Sequence, residues 1–202
     1  MVRFGRQVAI ADDTLFYWDV NMGHRGRLSF GGNPNTFFVT TTVMNFARIF
    51  ALGEQYYEIL RDSLVYVLEK HRARLFAYVF MPSHVHFIVD MPEGQLLSDF
   101  MRDFKKYTST RIRQQLEADG YEDWIEELRG NAAGRKHIFK LWMDRFDDVV
   151  IASEEMLIVK LEYIHDNPSR AGLVREPEAW PYSSAQNYSI GDHSFLRVHT
   201  DW

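Results

Sequence analysis

The sequence predicts an α+β fold in which an antiparallel, ferredoxin-like sheet packs against helices. Three observations lead to this class. Strand-like and helix-like segments follow one another in the order strand, helix, strand, strand, helix, strand, helix. Two of the strand-like segments are joined by the short turn Pro82-Ser83, which suits antiparallel neighbours. The helix-like segments carry apolar residues on one stripe, which is typical of helices that cover a sheet.

The first half of the chain predicts a strand, a helix and a hairpin. Residues 37–43 are aromatic and β-branched, which favours a strand. Apolar residues recur at helical spacing from Glu54 to His71 and predict the first helix. Residues 74–81 and 84–91 are short apolar runs on either side of the turn, and they predict the two strands of the hairpin.

The second half predicts two more helices and two short strands. Residues 96–116 have a single apolar stripe and predict the second helix, followed by an acidic, glycine-containing stretch without a predicted element. Strand-like pieces occur at 137–142 and 149–151. The third helix is expected to begin after Ser153, a favourable N-cap, and to end near His165, because Asn167-Pro168 is a helix-stopping pair.

Composition describes a globular protein and excludes several classes. The 202 residues are 46% hydrophobic and 25% charged, which excludes a mainly disordered chain. The absence of cysteine excludes disulfides, thiolate zinc sites and a cysteine nucleophile. The net charge of −5 argues against binding nucleic acid through overall charge. No apolar run approaches the roughly 18 residues that a membrane-spanning helix needs, so we expect a cytoplasmic protein without membrane contact.

The chain is expected to form one domain with two appendages. Residues 1–35 are less regular than the rest and end in a turn-rich stretch, which predicts an N-terminal extension. Residues 36–190 form the predicted domain, and residues 191–202 a C-terminal tail. The sequence leaves open whether the protein is a monomer or a homodimer.

His84 and His86 are the first candidates for chemistry. Residues two apart on a strand point to the same face, so both imidazoles project together. Two neutral imidazoles side by side form half of a divalent-metal site. Two unrelated strand histidines would give the same pattern, and the pair alone does not distinguish these interpretations.

Tyr107 is the second candidate, because it falls at the edge of the apolar stripe of the second helix. From that position a phenol can extend past the helix toward the sheet while it stays partly exposed to solvent. A boundary tyrosine without a function is the other interpretation. An ordinary phenol has a pKa near 10, so a nearby cation or metal ion would be needed to make it a nucleophile at neutral pH.

A basic stripe surrounds Tyr107 in an otherwise acidic protein. It predicts contacts with nucleic-acid phosphates on the second helix. A solvated helix face is the alternative. The stripe consists of Arg102, Lys105, Lys106, Arg111 and Arg113.

Several motifs together make the sequence resemble the single-tyrosine HUH transposases, and in particular their REP-associated tyrosine transposase branch. The resemblance covers residues 37–188. The motifs are MPSHVHFIV at 81–89, FKKYT at 104–108, LW at 141–142, FD at 146–147, YIHDNP at 163–168, RAGLV at 170–174 and WPYSS at 180–184.

The resemblance implies an HUH endonuclease-like fold and a metal-dependent tyrosine DNA transesterase. It implies that His84 and His86 hold a divalent metal, Mg²⁺ or Mn²⁺, at the scissile phosphate of single-stranded DNA. Carried over onto the helix motif, it implies that Tyr107 attacks the phosphorus and forms a 5′-phosphotyrosine. The implied substrates are hairpin-forming repeats, which such enzymes cut and rejoin during DNA transposition.

One position departs from the family pattern. The family supplies a third, amide ligand about one helical turn after its tyrosine, where this chain has Arg111. Arginine cannot bind a metal, so Gln114, Asp103 or water would complete the site. An Arg111 that faces the sheet is expected to weaken metal binding. A domesticated protein that binds DNA hairpins without cutting them is therefore the alternative function.

Overall fold

The computed structural model describes residues 35–130 and 139–201, and within them the strands form one antiparallel sheet in the order β2-β3-β1-β4. The predicted fold class, a ferredoxin-like antiparallel sheet packed with helices, is confirmed. The elements are β1 (Thr36–Thr42), α1 (Glu54–His71), β2 (Arg74–Phe80), β3 (His84–Asp90), α2 (Leu97–Ala118), α3 (Glu122–Gly130), β4 (Asp147–Val150), α4 (Glu154–Arg170) and α5 (Ala185–Ser189).

The strand register decides what lies beside the two histidines. In the antiparallel pair of β1 and β3, Thr40 lies opposite His86. Because side chains alternate along a strand, His84, His86 and Ile88 point to one face of the sheet. Phe87 points to the other face. The two faces are covered by different helices, and this separates the histidines from α2.

Helices α1 and α2 cover the face that carries Phe87. The Phe87 ring lies 6.1 Å from the ring of Phe100 and 5.9 Å from that of Phe104, both on α2. Leu60 and Leu64 of α1 are completely buried in the same hydrophobic cluster. The apolar stripes predicted for both helices are therefore the surfaces that pack on this face.

Helix α4 packs on the opposite face, the one that carries the histidines. Leu157 and Ile164 of α4 are buried in a cluster with Phe38 of β1 and Ile88 of β3. Ser153 caps the helix, as predicted, because its hydroxyl accepts a backbone N–H from the first turn at 3.2 Å. The cap and the buried stripe together fix where α4 lies above the sheet.

The acidic stretch after α2 contains a helix that the sequence analysis did not predict. Helix α3 covers Glu122–Gly130 and buries Ile125 and Leu128 in the core beside α2. These two residues are one turn apart, which is enough to anchor a short helix. The surrounding acidic residues concealed this weak apolar pattern.

Helix α4 continues through Asn167-Pro168 to Arg170, so the predicted end near His165 is wrong. A proline lacks one backbone donor, but in the last turn this costs a single hydrogen bond. The carbonyl of Pro168 accepts the N–H of Leu173 at 2.9 Å, which closes the helix end. The longer helix therefore includes Asn167 together with the residues that precede it.

The remaining expectations have mixed outcomes. The sequence predicts a strand at 137–142, of which residues 139–142 are described. These residues do not form a strand, and Trp142 makes only an isolated β-bridge with Val43, so the prediction is wrong there. The strand expected at 149–151 corresponds to β4. Residues 1–34 lie outside the described residues, so the N-terminal extension stays a prediction. No helix in the described ranges is long and apolar enough to cross a membrane.

The end of the chain packs on the domain. Leu196 and Val198 are buried in the core beside α1. The backbone N–H of His199 donates to the carbonyl of Leu75 at the start of β2, at 2.8 Å. The predicted tail is therefore held against the sheet up to this point.

Candidate active site

The two predicted histidines form a pair at the start of β3. Their ring centroids are 4.9 Å apart and their planes are inclined by 77°. His86 is 4% exposed, whereas His84 is half-buried at the rim. The Nδ1 atom of His84 shares a hydrogen bond of 3.2 Å with the hydroxyl of Ser83. The prediction of a shared face is confirmed by this geometry.

In the described part of the chain, one ring nitrogen of His86 is hydrogen-bonded and the other has no partner. Its Nδ1 shares a hydrogen bond of 2.8 Å with the Thr40 hydroxyl, the residue opposite in the sheet. Its Nε2 is buried and has no hydrogen-bond partner among the described residues. In the tautomer with the proton on Nδ1, the lone pair of Nε2 is available to a cation.

The surroundings of His86 favour its neutral form. Burial lowers its pKa well below the ordinary value, and electrostatic interactions with His84 and Lys160 lower it further. A neutral imidazole is the form that binds a metal. An orphaned, neutral imidazole nitrogen is therefore the central feature of this site.

Tyr163 of α4 is the tyrosine that lies beside the histidine pair. Its ring meets the His86 ring edge to face, with 5.3 Å between centroids, and it also contacts Phe38 at 5.8 Å. Tyr163 is 36% exposed, so it faces both the site and solvent. Asn167 lies four residues later on the same side of α4. Helix α4 therefore carries a phenol in contact with His86 and an amide one turn further along the same side.

Tyr107, the predicted nucleophile, lies elsewhere. It is on α2, which packs on the other face of the sheet. Its ring stacks on that of Tyr66 from α1, with 4.6 Å between centroids, and the Arg111 guanidinium lies 5.8 Å from the ring centre. The edge of the apolar stripe faces α1 and not the sheet. The structure does not bring Tyr107 together with His84 and His86.

The matched family agrees with the resemblance found in the sequence. Residues 42–167 match the model of the family described as "Transposase IS200 like", and this range includes both histidines, Tyr163 and Asn167. The chain belongs to the IS200-like transposases. The predicted membership is therefore confirmed, and it supports a role of this transposase on DNA.

Two individual proteins are similar to this transposase. A REP-associated tyrosine transposase of Escherichia coli is 28% identical over 149 residues, which cover 74% of this chain and 75% of that protein. A REP-associated tyrosine transposase bound to a REP hairpin has a similar fold, with a TM-score of 0.58 and 21% identity. That similarity covers 90% of this chain and 94% of the other. The resemblance to the REP-associated branch, named from the motifs, is thereby confirmed.

The basic stripe that was predicted to bind DNA lies on the α2 side of the transposase. Three of its arginines contact carboxylates: Arg102 with Asp99 at 2.6 Å, Arg111 with Asp62 at 3.6 Å and Arg113 with Glu117 at 2.6 Å. Lys106 is exposed in the groove between α1 and α2. Arg111 also lies in this groove and does not face the sheet, contrary to the expectation.

Lys105 contacts the chain itself. Its ammonium donates to the backbone carbonyls of Met143 at 2.9 Å and Arg145 at 2.8 Å, and a third carbonyl, that of Asp144, lies at 3.5 Å. Burial lowers the pKa of Lys105 to about 8. This lysine therefore holds the segment before β4 onto α2, and its predicted phosphate contact stays a prediction.

The residues at the histidine pair fit a divalent metal. In the described ranges, no three histidine, cysteine, aspartate or glutamate side chains come together as a metal site. The buried Nε2 of His86, which has no hydrogen-bond partner within the described ranges, and the adjacent His84 ring nevertheless provide two donors. Asn167 carries an amide one turn after Tyr163 on the same side of α4, the spacing that the resemblance implies for a third ligand. Imidazole donors favour Mn²⁺ over Mg²⁺, which prefers oxygen.

Proposed function

We propose that this chain cuts and rejoins single-stranded DNA through a covalent bond to Tyr163. The observation that carries the proposal is the contact between Tyr163 and His86, whose Nε2 is buried without a partner in the described part of the chain. A hydroxyl nucleophile beside two imidazoles suits phosphoryl transfer. The proposal moves the nucleophile from Tyr107 to Tyr163.

The proposed substrates are hairpin-forming DNA repeats. The Escherichia coli relative is a REP-associated tyrosine transposase, and the similar structure contains a REP hairpin. The fold is similar to that of the hairpin-bound protein, and the sequence is similar to that of the Escherichia coli relative. We extend their substrate class to this chain, with single-stranded DNA next to the hairpin as the segment that is cut.

His84, His86 and Asn167 are the proposed ligands of a Mn²⁺ or Mg²⁺ ion. When bound, the ion would act as a Lewis acid that polarises the scissile phosphate. Thr40 holds the His86 ring through Nδ1 and thereby directs Nε2 into the site. The burial of His86 keeps its imidazole neutral and keeps water away from one side of the site.

Tyr163 performs the covalent step in this proposal. Its phenolic oxygen attacks the phosphorus, the bond between phosphorus and the 3′ oxygen breaks, and the proton lost by the phenol is balanced by one gained at the 3′ oxygen. The 5′ end then remains on Tyr163 as a phosphotyrosine. Attack by a 3′-hydroxyl reverses the step, so the strand is rejoined without ATP.

The two tyrosines provide a matched experiment. The wild type, Tyr163→Phe and Tyr107→Phe are each incubated with a single-stranded REP-hairpin oligonucleotide and Mn²⁺, and adducts are separated by denaturing electrophoresis. We expect an adduct in the wild type and in Tyr107→Phe, and none in Tyr163→Phe.

An adduct that persists in Tyr163→Phe would disprove the assignment, and its loss in Tyr107→Phe would return the nucleophile to α2. Hairpin binding by the wild type without any adduct would instead support the non-catalytic hairpin-binding protein. Binding is measured in parallel by electrophoretic mobility shift.

A further inference from the structure

Two cations flank Tyr163 on α4. The ammonium of Lys160 lies 5.9 Å from the centre of the Tyr163 ring, and the guanidinium carbon of Arg170 lies 5.8 Å from it. Lys160 precedes Tyr163 by three residues and Arg170 follows it by seven, so all three share one side of the helix. The tyrosine beside the histidine pair therefore has a positively charged side chain on either side of it along α4.

Lys160 also reaches toward the histidines. Its ammonium lies 4.8 Å from the centre of the Phe38 ring, and Phe38 stacks on His86 with 5.6 Å between centroids. Lys160 is half-buried, so part of its hydration is lost. The cation thus lies along the wall of the site and not at the outer surface of α4.

Neither cation has a carboxylate partner among the described residues. No aspartate or glutamate oxygen lies within 4.0 Å of the charged nitrogens of Lys160 or Arg170 in residues 35–130 and 139–201. By contrast, Arg102 and Arg113 on α2 are each paired with a carboxylate on their own helix. A partly desolvated cation without a counter-ion suits a site for an external anion.

We propose that Lys160 and Arg170 bind the DNA backbone across α4, with Lys160 on the phosphate that Tyr163 attacks and Arg170 on a neighbouring phosphate. This inference deepens the proposed function and rests on it for the identity of the attacked phosphate. It places the path of the single strand on the α4 side of the sheet. The predicted α2 stripe is then not the principal DNA contact.

The test measures DNA binding in the absence of metal. A fluorescein-labelled single strand of oligodeoxythymidine is titrated in EDTA at increasing NaCl, and its anisotropy is followed. Lys160→Met and Arg170→Met remove the charges and keep much of the side-chain length. Lys160→Arg restores the charge, and Arg102→Met on α2 is the matched control.

We expect Lys160→Met and Arg170→Met each to bind several-fold more weakly and to lower the slope of log affinity against log salt by about 0.7. Lys160→Arg and Arg102→Met should match the wild type. Unchanged affinity and slope in both methionine variants would overturn the proposal. Arg170 is exposed, so its variant tests the charge even where Lys160→Met loses stability.

Covalent chemistry is scored separately. If the wild type forms an adduct and both methionine variants bind DNA normally, only the proposed phosphate contacts are disproved. If the variants bind DNA more weakly but the wild type forms no adduct, the covalent mechanism is disproved and the phosphate contacts on α4 are supported.

Discussion

Tyr163 meets His86 edge to face, with 5.3 Å between their ring centroids, although one lies on α4 and the other on β3. The contact joins a half-exposed phenol to a buried imidazole whose Nε2 lacks a partner among the described residues. It brings the YIHDNP motif at 163–168 to the histidine pair. The following predictions test the groups that hold this arrangement.

Thr40→Val is expected to weaken Mn²⁺ binding by about tenfold, because the His86 ring loses the hydrogen bond that orients it. The substitution keeps the shape of the side chain. Isothermal titration calorimetry measures the affinity. Thr42→Val, on the same strand and face but opposite His84, is the control and should bind Mn²⁺ normally. Equal affinities in the two variants would argue against an orienting role for Thr40.

Asn167→Ala is expected to weaken Mn²⁺ binding by at least about tenfold and to reduce adduct formation, because the proposed site loses its amide ligand. Gln114→Ala is the matched control, since Gln114 lies in the groove between α1 and α2. Calorimetry with Mn²⁺ and denaturing electrophoresis give the two readouts. Weaker metal binding in Gln114→Ala alone would place the amide ligand on α2.

Arg111→Gln is expected to leave Mn²⁺ affinity and adduct formation within about twofold of the wild type. Arg111 lies beside Tyr107 and Asp62, away from the histidines, and an exposed ion pair contributes at most about 1 kcal/mol. The same calorimetric titration measures the effect. Tighter Mn²⁺ binding in this variant would instead show that its charge reaches the metal.

Lys105→Met is expected to lower the free energy of unfolding by about 1–3 kcal/mol, because backbone carbonyls before β4 lose their buried donor. Lys106→Met, at an exposed neighbouring position, should change it little. Urea denaturation followed by circular dichroism compares the two variants. A Lys105→Met protein of normal stability that binds DNA weakly would restore the phosphate-contact interpretation.

Local sequence patterns predict much of this fold. The apolar spacing identifies α1 with both of its ends, and the turn at Pro82-Ser83 identifies the hairpin of β2 and β3. Strand alternation alone places His84 and His86 on one face. These features depend on near neighbours in the chain, which is why the sequence is sufficient for them.

The position of Tyr107 could not be obtained in the same way. Periodicity gives its angle around α2 but not the element that lies at that angle, and in the structure this element is α1 with Tyr66. The place of Tyr163 in the site could not be predicted for a related reason. The pair Asn167-Pro168 predicts a helix stop and so places Asn167 outside the helix, although the spacing of Tyr163 and Asn167 matches one turn. The hydrogen bond from the Leu173 N–H to the Pro168 carbonyl, which closes the helix end, is not visible in the sequence.

The docking of α4 has a consequence for dynamics. Within the described chain, α4 holds to the sheet through the smaller of two hydrophobic clusters, whereas α1 and α2 share the larger. Less buried apolar surface gives a lower free energy of local opening, so amide hydrogens of α4 should exchange faster than those of α1. One opening event would carry Tyr163 and Asn167 away from the sheet together. On warming, the protein would then lose its assembled site while most of its fold persists.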